Sequence, residues 1–192
     1  MPKIFSQFTT MDKHKISPLR IIGIIIILSV TVIIILMKIE NSLGNNIKDG
    51  LLNLITKSLL SSKVPKIDVG EAAAHQSSYI FLDSREKDEY DVSHIKNSIF
   101  VGAEDFAIDK LGKISKDADI VVYCAVGVRS DKIAKEIIDA GYRHVHNMHG
   151  GIFEWINKGN PVYDTSGNPT SSIHAYSKFW GVFVSSDHKV YK

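Results

Sequence analysis

Residues 119–138 read DIVVYCAVGVRSDKIAKEII, and this stretch decides the fold. Asp119-Ile120-Val121-Val122-Tyr123 is a short β-branched run bounded by polar residues, the pattern of a buried strand. From Asp131 onward the apolar residues fall at 133, 134, 137 and 138, one face of an amphipathic helix. Between the two lies Cys124, the only cysteine of the chain. A thiol at a strand–helix junction faces the free N–H groups of the helix's first turn. Those donors and the helix dipole favour negative charge on sulfur, and they also suit a bound anion.

Working outward, apolar runs alternate with helical patterns. Tyr79–Leu82, Ser98–Val101 and His144–Met148 read as further strands, the last of them closing the series. Lys87–Val92 reads as a helix of one or two turns, and Ala103–Ile108 as another with Leu111 packed beneath it. Gly141 suits the C-terminal cap of the helix after Cys124. Gly150-Gly151 opens a helix holding Ile152, Phe153, Trp155 and Ile156. Strand–helix alternation at this spacing predicts an α/β domain with a largely parallel sheet. Sites in such sheets lie beyond the carboxyl ends of the strands, where Cys124 falls.

The 192 residues suffice for one ordinary domain with attachments. Ile21–Met37 is an uncharged run of 17 residues, about 25 Å as a helix and enough for bilayer hydrocarbon. Lys38 and Glu40 follow it without a small-residue cleavage pattern, so a retained anchor is favoured over a cleaved signal. Four basic residues precede the span (Lys3, Lys13, Lys15, Arg20) and three follow (Lys38, Lys48, Lys57). This margin points to a single-pass membrane protein with a cytoplasmic N-terminus and an extracytoplasmic domain. A net charge of +2, with no basic stripe interleaved by aromatics, gives no case for nucleic acid. One cysteine leaves no internal disulfide and no resolving thiol, so a modified Cys124 must be discharged from outside.

The predicted organisation is a polar N-terminus at 1–20, a transmembrane helix at 21–38 and a connector with an amphipathic helix at 39–65. The α/β domain follows at 66–164 and an aromatic tail at 165–192. Tyr176, Phe179, Trp180 and Phe183 are too aromatic for a solvated tail. Packing on the domain and a surface for a protein partner are the two readings. His144, His146 and His149 invite a metal, but no acid or cysteine completes a ligand set, and no metal or cofactor is expected.

Three segments carry a family resemblance. FLDSREKDEYDVSHIKNSI at 81–99, VVYCAVGVRS at 121–130 and AGYRHVHNMHGGIFEW at 140–155 resemble, in order and spacing, the elements of a rhodanese domain. The resemblance covers residues 66–164 and implies a three-layer sulfurtransferase fold with a central, mostly parallel five-stranded sheet. It implies that Cys124 takes a sulfane sulfur from thiosulfate or a thiol persulfide and passes it to cyanide or a thiol. Ala125, Val126, Gly127, Val128, Arg129 and Ser130 would form the substrate loop. Arg129 would either hold an oxyanion or pair with an acid and brace the loop. The resemblance places Asp83 and Arg85 in the scaffold beneath the loop and gives His94 a buried hydrogen bond. His149 is a candidate for the mouth of the site.

Ala125 and Val126 stand where thiosulfate-using members often carry Arg or Lys, and Val128 follows Gly127, so this apolar rim should hold a dianion less well. Related phosphatases place their arginine one position further from the cysteine, and six members leave too little room for phosphate. The remaining alternative is a membrane-tethered, non-catalytic rhodanese module that binds or senses.

Overall fold

The structure is a computed structural model that describes residues 63–185 and 188–191, with residue 60 and scattered positions between 24 and 54. The chain divides into two compact units, Met1–Asn46 and Ile47–Lys192. In the first unit the expected transmembrane segment lies partly outside the described residues. Those that are described, Ile24 and Ile27–Val32 among them, are helical. Among the described residues, no helix is long and apolar enough to cross a membrane. The connector helix also falls mostly outside them.

The second unit is built on five parallel strands: β1 (Lys66–Ile67), β2 (Ile80–Asp83), β3 (Ile99–Phe100), β4 (Asp119–Tyr123) and β5 (His144–Met148). Their order in the sheet is β1-β5-β4-β2-β3, and every pairing is parallel. The central position of β4 explains its unbroken apolar run, since both faces are covered. Val121 and Tyr123 enter one core with Phe81, Trp155, Phe153 and Ile152. Ile120 and Val122 enter the other with Leu82, Ile133, Ala134, Ile137 and Val145. This period-two alternation puts helices on both sides and makes three layers.

The helices are α1 (Val69–Ala74), α2 (Lys87–Val92), α3 (Val128–Asp139) and α4 (Gly151–Asn157). Helix α3 turns Ile133, Ala134 and Ile137 to the sheet and ends at Ala140, with Gly141 in the left-handed region at φ 91°. The Asp68 side chain accepts the Glu71 N–H at 3.0 Å and starts α1.

Three expectations are corrected. Ala103–Ile108 forms no α-helix: the chain turns there and makes a short 3-10 turn at Ile108–Leu111. Only Leu111 of that turn is buried, so there was no apolar stripe to hold a longer helix. β1 was not foreseen, because two residues carry no periodicity. β5 is not the last strand: β6 (Val162–Tyr163) and β7 (Pro169–Thr170) pair antiparallel, and β8 (Ser172–His174) and β9 (His188–Val190) pair parallel.

Candidate active site

Strand β4 ends at Tyr123 and delivers Cys124, 1% exposed, into the turn that opens α3. The Gly127 N–H donates to Cys124 Sγ at 3.2 Å. Gly127 can aim that amide because it sits at φ 98°, and a Cβ there would lie 3.2 Å from Met148 O. The amide bond and the positive end of α3 both stabilise negative charge on the sulfur.

The loop is held from behind through its carbonyls. Ile152 N–H donates to Cys124 O at 2.9 Å and Phe153 N–H to Ala125 O at 3.1 Å. The first turn of α4 thus supplies its free donors to the loop. Gly151 permits this approach, since a Cβ there would fall 2.3 Å from Cys124 O and 2.5 Å from Ala125 O. Asn147, fully buried on β5, donates to Gly127 O at 2.9 Å and to Asp131 Oδ1 at 3.2 Å, and accepts from Ser130 Oγ at 2.7 Å. One side chain therefore ties the middle strand region to both ends of the loop–helix junction.

Arg129 braces. Its Nη1 and Nη2 donate to Glu89 Oε2 and Oε1 at 2.6 and 2.9 Å, and Glu86 lies 3.6 Å away. Glu89 also accepts the Glu86 N–H at 3.0 Å. Burial pushes the Arg129 guanidinium down, but its bonds to Glu89 and the neighbouring negative groups outweigh this and hold it raised. For Glu89, burial pushes upward, and the Arg129 hydrogen bonds with the charges of Arg129 and Arg85 reverse it, leaving the carboxyl lowered.

Asp83 and Arg85 form a fully buried pair under the loop, Nη2 to Oδ2 at 2.6 Å and Nε to Oδ1 at 3.0 Å. Arg85 also donates to Ser93 O at 2.6 Å, fixing the end of α2. Ser84, between them, donates through N and Oγ to Tyr123 O, each at 2.9 Å, next to Cys124. Tyr123 donates to Ser98 Oγ at 2.9 Å. Burial first, then the Asp83 charge, pushes the Tyr123 hydroxyl well up. His94 stacks on Tyr90 with ring centres 4.0 Å apart, and its Nδ1 donates to Tyr90 O at 3.1 Å. His149 donates its backbone N–H to Ile67 O at 3.0 Å and passes behind Gly127, with no side chain on the cavity in front of the sulfur. His144 is exposed on β5. Among the described residues, no group of three or more His, Cys, Asp or Glu side chains could hold a metal.

A cavity of about 190 Å³ opens over Cys124, lined by Ala125, Val126, Val128, Arg129, Tyr176 and Trp180. The structure so brings together the loop residues, while Asp83, Arg85 and His94 stand behind it. Glu89, Asn147 and Gly151 were not picked out as site residues. The signals available were the acid three residues after Glu86, a polar residue inside an apolar strand and the double glycine.

A parallel sheet whose central strand delivers a cysteine into a six-residue loop, braced by the Arg129–Glu89 pair, defines an α/β domain with a candidate cysteine site. Residues 68–158 match the family model described as Rhodanese-like domain. It is similar to tRNA uridine(34) hydroxylases. It is 33% identical to that of Pectobacterium atrosepticum over 96 residues, 47% of this chain and 27% of the relative. It is 35% identical to that of Hamiltonella defensa over 83 residues, 40% of this chain and 23% of the relative. The chain spans about a quarter of the length of these curated relatives. Among solved structures, the rhodanese-like domain of an Anabaena protein is similar at a TM-score of 0.49 and 24% identity, covering 52% of this chain and 79% of that one. A Pseudomonas aeruginosa thiosulfate sulfurtransferase is similar at 0.48 and 19%, covering 73% and 26%.

Proposed function

We propose that this protein is a sulfurtransferase that moves a sulfane sulfur through a persulfide on Cys124. The observation that carries this reading is Cys124 Sγ receiving the Gly127 N–H at 3.2 Å, at the start of α3 and on the floor of an accessible cavity. The thiolate attacks the outer sulfur of the donor. For thiosulfate the S–S bond breaks, sulfite leaves with the bond's electron pair, and the enzyme keeps one sulfur as Cys–S–S⁻. Attack by cyanide or a thiolate on that outer sulfur returns the Cys124 thiolate. Dividing the transfer in this way replaces one difficult step by two easier ones.

The hydroxylase relatives share with this chain only the segment that makes the loop and its scaffold. Their named activity belongs to proteins about four times longer than the shared stretch, and it is not carried over here. A non-catalytic binding module is the second reading, and the intact cysteine loop with its cavity speaks for the enzyme. Turnover of donor plus cyanide to thiocyanate is expected, with parallel double-reciprocal lines as the second substrate is varied. Cys124→Ser should abolish it. Intersecting lines, or activity retained in the serine variant, would remove the persulfide from the pathway.

Residues 21–37 also hold the chain to a membrane in this proposal, with the sulfurtransferase domain on the extracytoplasmic side. The support is the uncharged run itself and the exposure of its described helical residues, Ile27 at 64% and Leu28 at 58%. A phosphatase reporter joined after Lys192 should be active outside the cytoplasm; activity confined to a cytoplasmic reporter reverses the orientation.

A further inference from the structure

The cavity over Cys124 has a wall from outside the rhodanese-like segment. Tyr176 and Trp180 belong to the tail, beyond residue 158 where the family match ends. Both ends of this wall are fixed. Before it, Ile173 and Ala175 are fully buried in the core that holds Trp155. Behind it, Phe183 and Val184 are buried in the same core. The Asn157 side chain holds the end, donating to Phe183 O and accepting the Ser185 N–H, each at 2.8 Å.

The aromatic residues themselves are oriented. Trp180 sits edge-on to Phe179 with ring centres 5.2 Å apart, and 6.0 Å from Phe183. Tyr176 has φ 61°, a left-handed backbone state that is unfavourable for a non-glycine residue. Its N–H donates to His174 Nδ1 at 3.2 Å, and the Arg129 guanidinium lies 5.3 Å from its ring centre. These contacts offset the strain and hold the ring against the cavity.

The chemistry of the wall is apolar. Ala125, Val126 and Val128 add only hydrocarbon, and Arg129 is engaged at both nitrogens by Glu89 with Glu86 beside it. One positive charge thus faces two negative ones. A dianion meets no net positive charge from side chains here, and ring faces carry partial negative charge. An apolar cavity of about 150 Å³ suffices for a benzene ring, and this one is about 190 Å³.

We infer that Tyr176 and Trp180 are specificity determinants that select an organic persulfide with an apolar or aromatic carbon body over thiosulfate. This inference rests on the sulfur-transfer reading above. The Cys124 thiolate attacks the outer sulfur of R–S–SH, the S–S bond breaks, and RS⁻ leaves with its electron pair. Cys–S–SH keeps the proton, and no outside oxidant or reductant is needed.

The test is the rate of Cys124 loading on the full chain in detergent, followed by intact mass, with benzyl persulfide and with thiosulfate. The ratio of the two rates within each variant does not depend on the fraction folded. In wild type it should favour benzyl persulfide. Trp180→Ala and Tyr176→Ala should each lower it about tenfold, the scale of losing part of an apolar pocket, and Trp180→Phe should restore most of it. A ratio unchanged within twofold in both alanine variants overturns the inference while leaving sulfur transfer standing. If wild-type Cys124 takes no sulfur from any donor, the sulfur-transfer reading falls first and this inference with it.

Discussion

Glu89 has no exposed surface, and its carboxylate ties the reactive loop to the helix before it through two hydrogen bonds from Arg129. Removing that charge leaves Arg129 half in the protein without its acid. Glu89→Gln should cost on the order of 2 kcal/mol, the scale of a charge-assisted bond lost in a buried place, read as a fall in the denaturant midpoint. The pH dependence has a definite sign. The folded Glu89 carboxyl titrates below its ordinary value of 4.5, so its stabilisation is present above 4.5 and is lost as pH falls through the lower folded value. Acid melts of the wild type should steepen below about pH 4.5 and those of Glu89→Gln less so; equal slopes would assign the acid sensitivity elsewhere. Cys124, Gly127 and Arg129 were legible in the sequence because they lie within six consecutive residues. The acid that pairs with Arg129 stands forty positions away, and Asn147 stands twenty from Gly127. No local pattern announces partners at that distance. Glu89 was therefore not picked out as a site residue.

Helix α4 shows how an element, rather than a residue, makes the site. Its first amides hold the carbonyls of Cys124 and Ala125, and Gly151 is the position where backbone meets backbone. Gly151→Ala cannot be relieved by a side-chain shift, because both atoms a Cβ would strike are main-chain oxygens. The loop should move, and Cys124 loading should fall at least tenfold along with a lower melting midpoint; unchanged loading would show that α4 does not hold the loop. The double glycine was readable as a helix opener, but its contact with the loop depends on β5 lying beside β4, which only the assembled sheet supplies. The same reason hid β1: two residues, Lys66 and Ile67, become a strand by adding to β5. The tail elements behave as part of the domain's packing. Ile173 is fully buried, and Ile173→Ala should cost about 2–4 kcal/mol. A loss under 0.5 kcal/mol in chemical denaturation would mean that the tail is not packed on the core as described.

At the scale of the whole molecule, the alternation of strand and helix patterns was enough to foresee the parallel sheet, and the family resemblance added the three layers. Buried strands with apolar residues on both faces cannot be satisfied by one covering layer. What alternation could not reveal is that residues after the last predicted helix return to wall the cysteine's cavity, because aromatic content says a segment packs without saying where. The hydrophobic run at 21–37 remains a separate part, and its prediction is a separate one. The full chain should sediment with membranes and resist carbonate extraction, whereas a chain lacking residues 1–62 should not; a full chain released by carbonate would contradict an anchor. The account as a whole depends on Cys124 accepting and giving up a single sulfur. Intact mass of the protein after exposure to a persulfide donor should rise by one sulfur atom on the peptide containing Cys124 and return to its starting value on adding cyanide. No added sulfur, or an adduct that cyanide leaves in place, would contradict it.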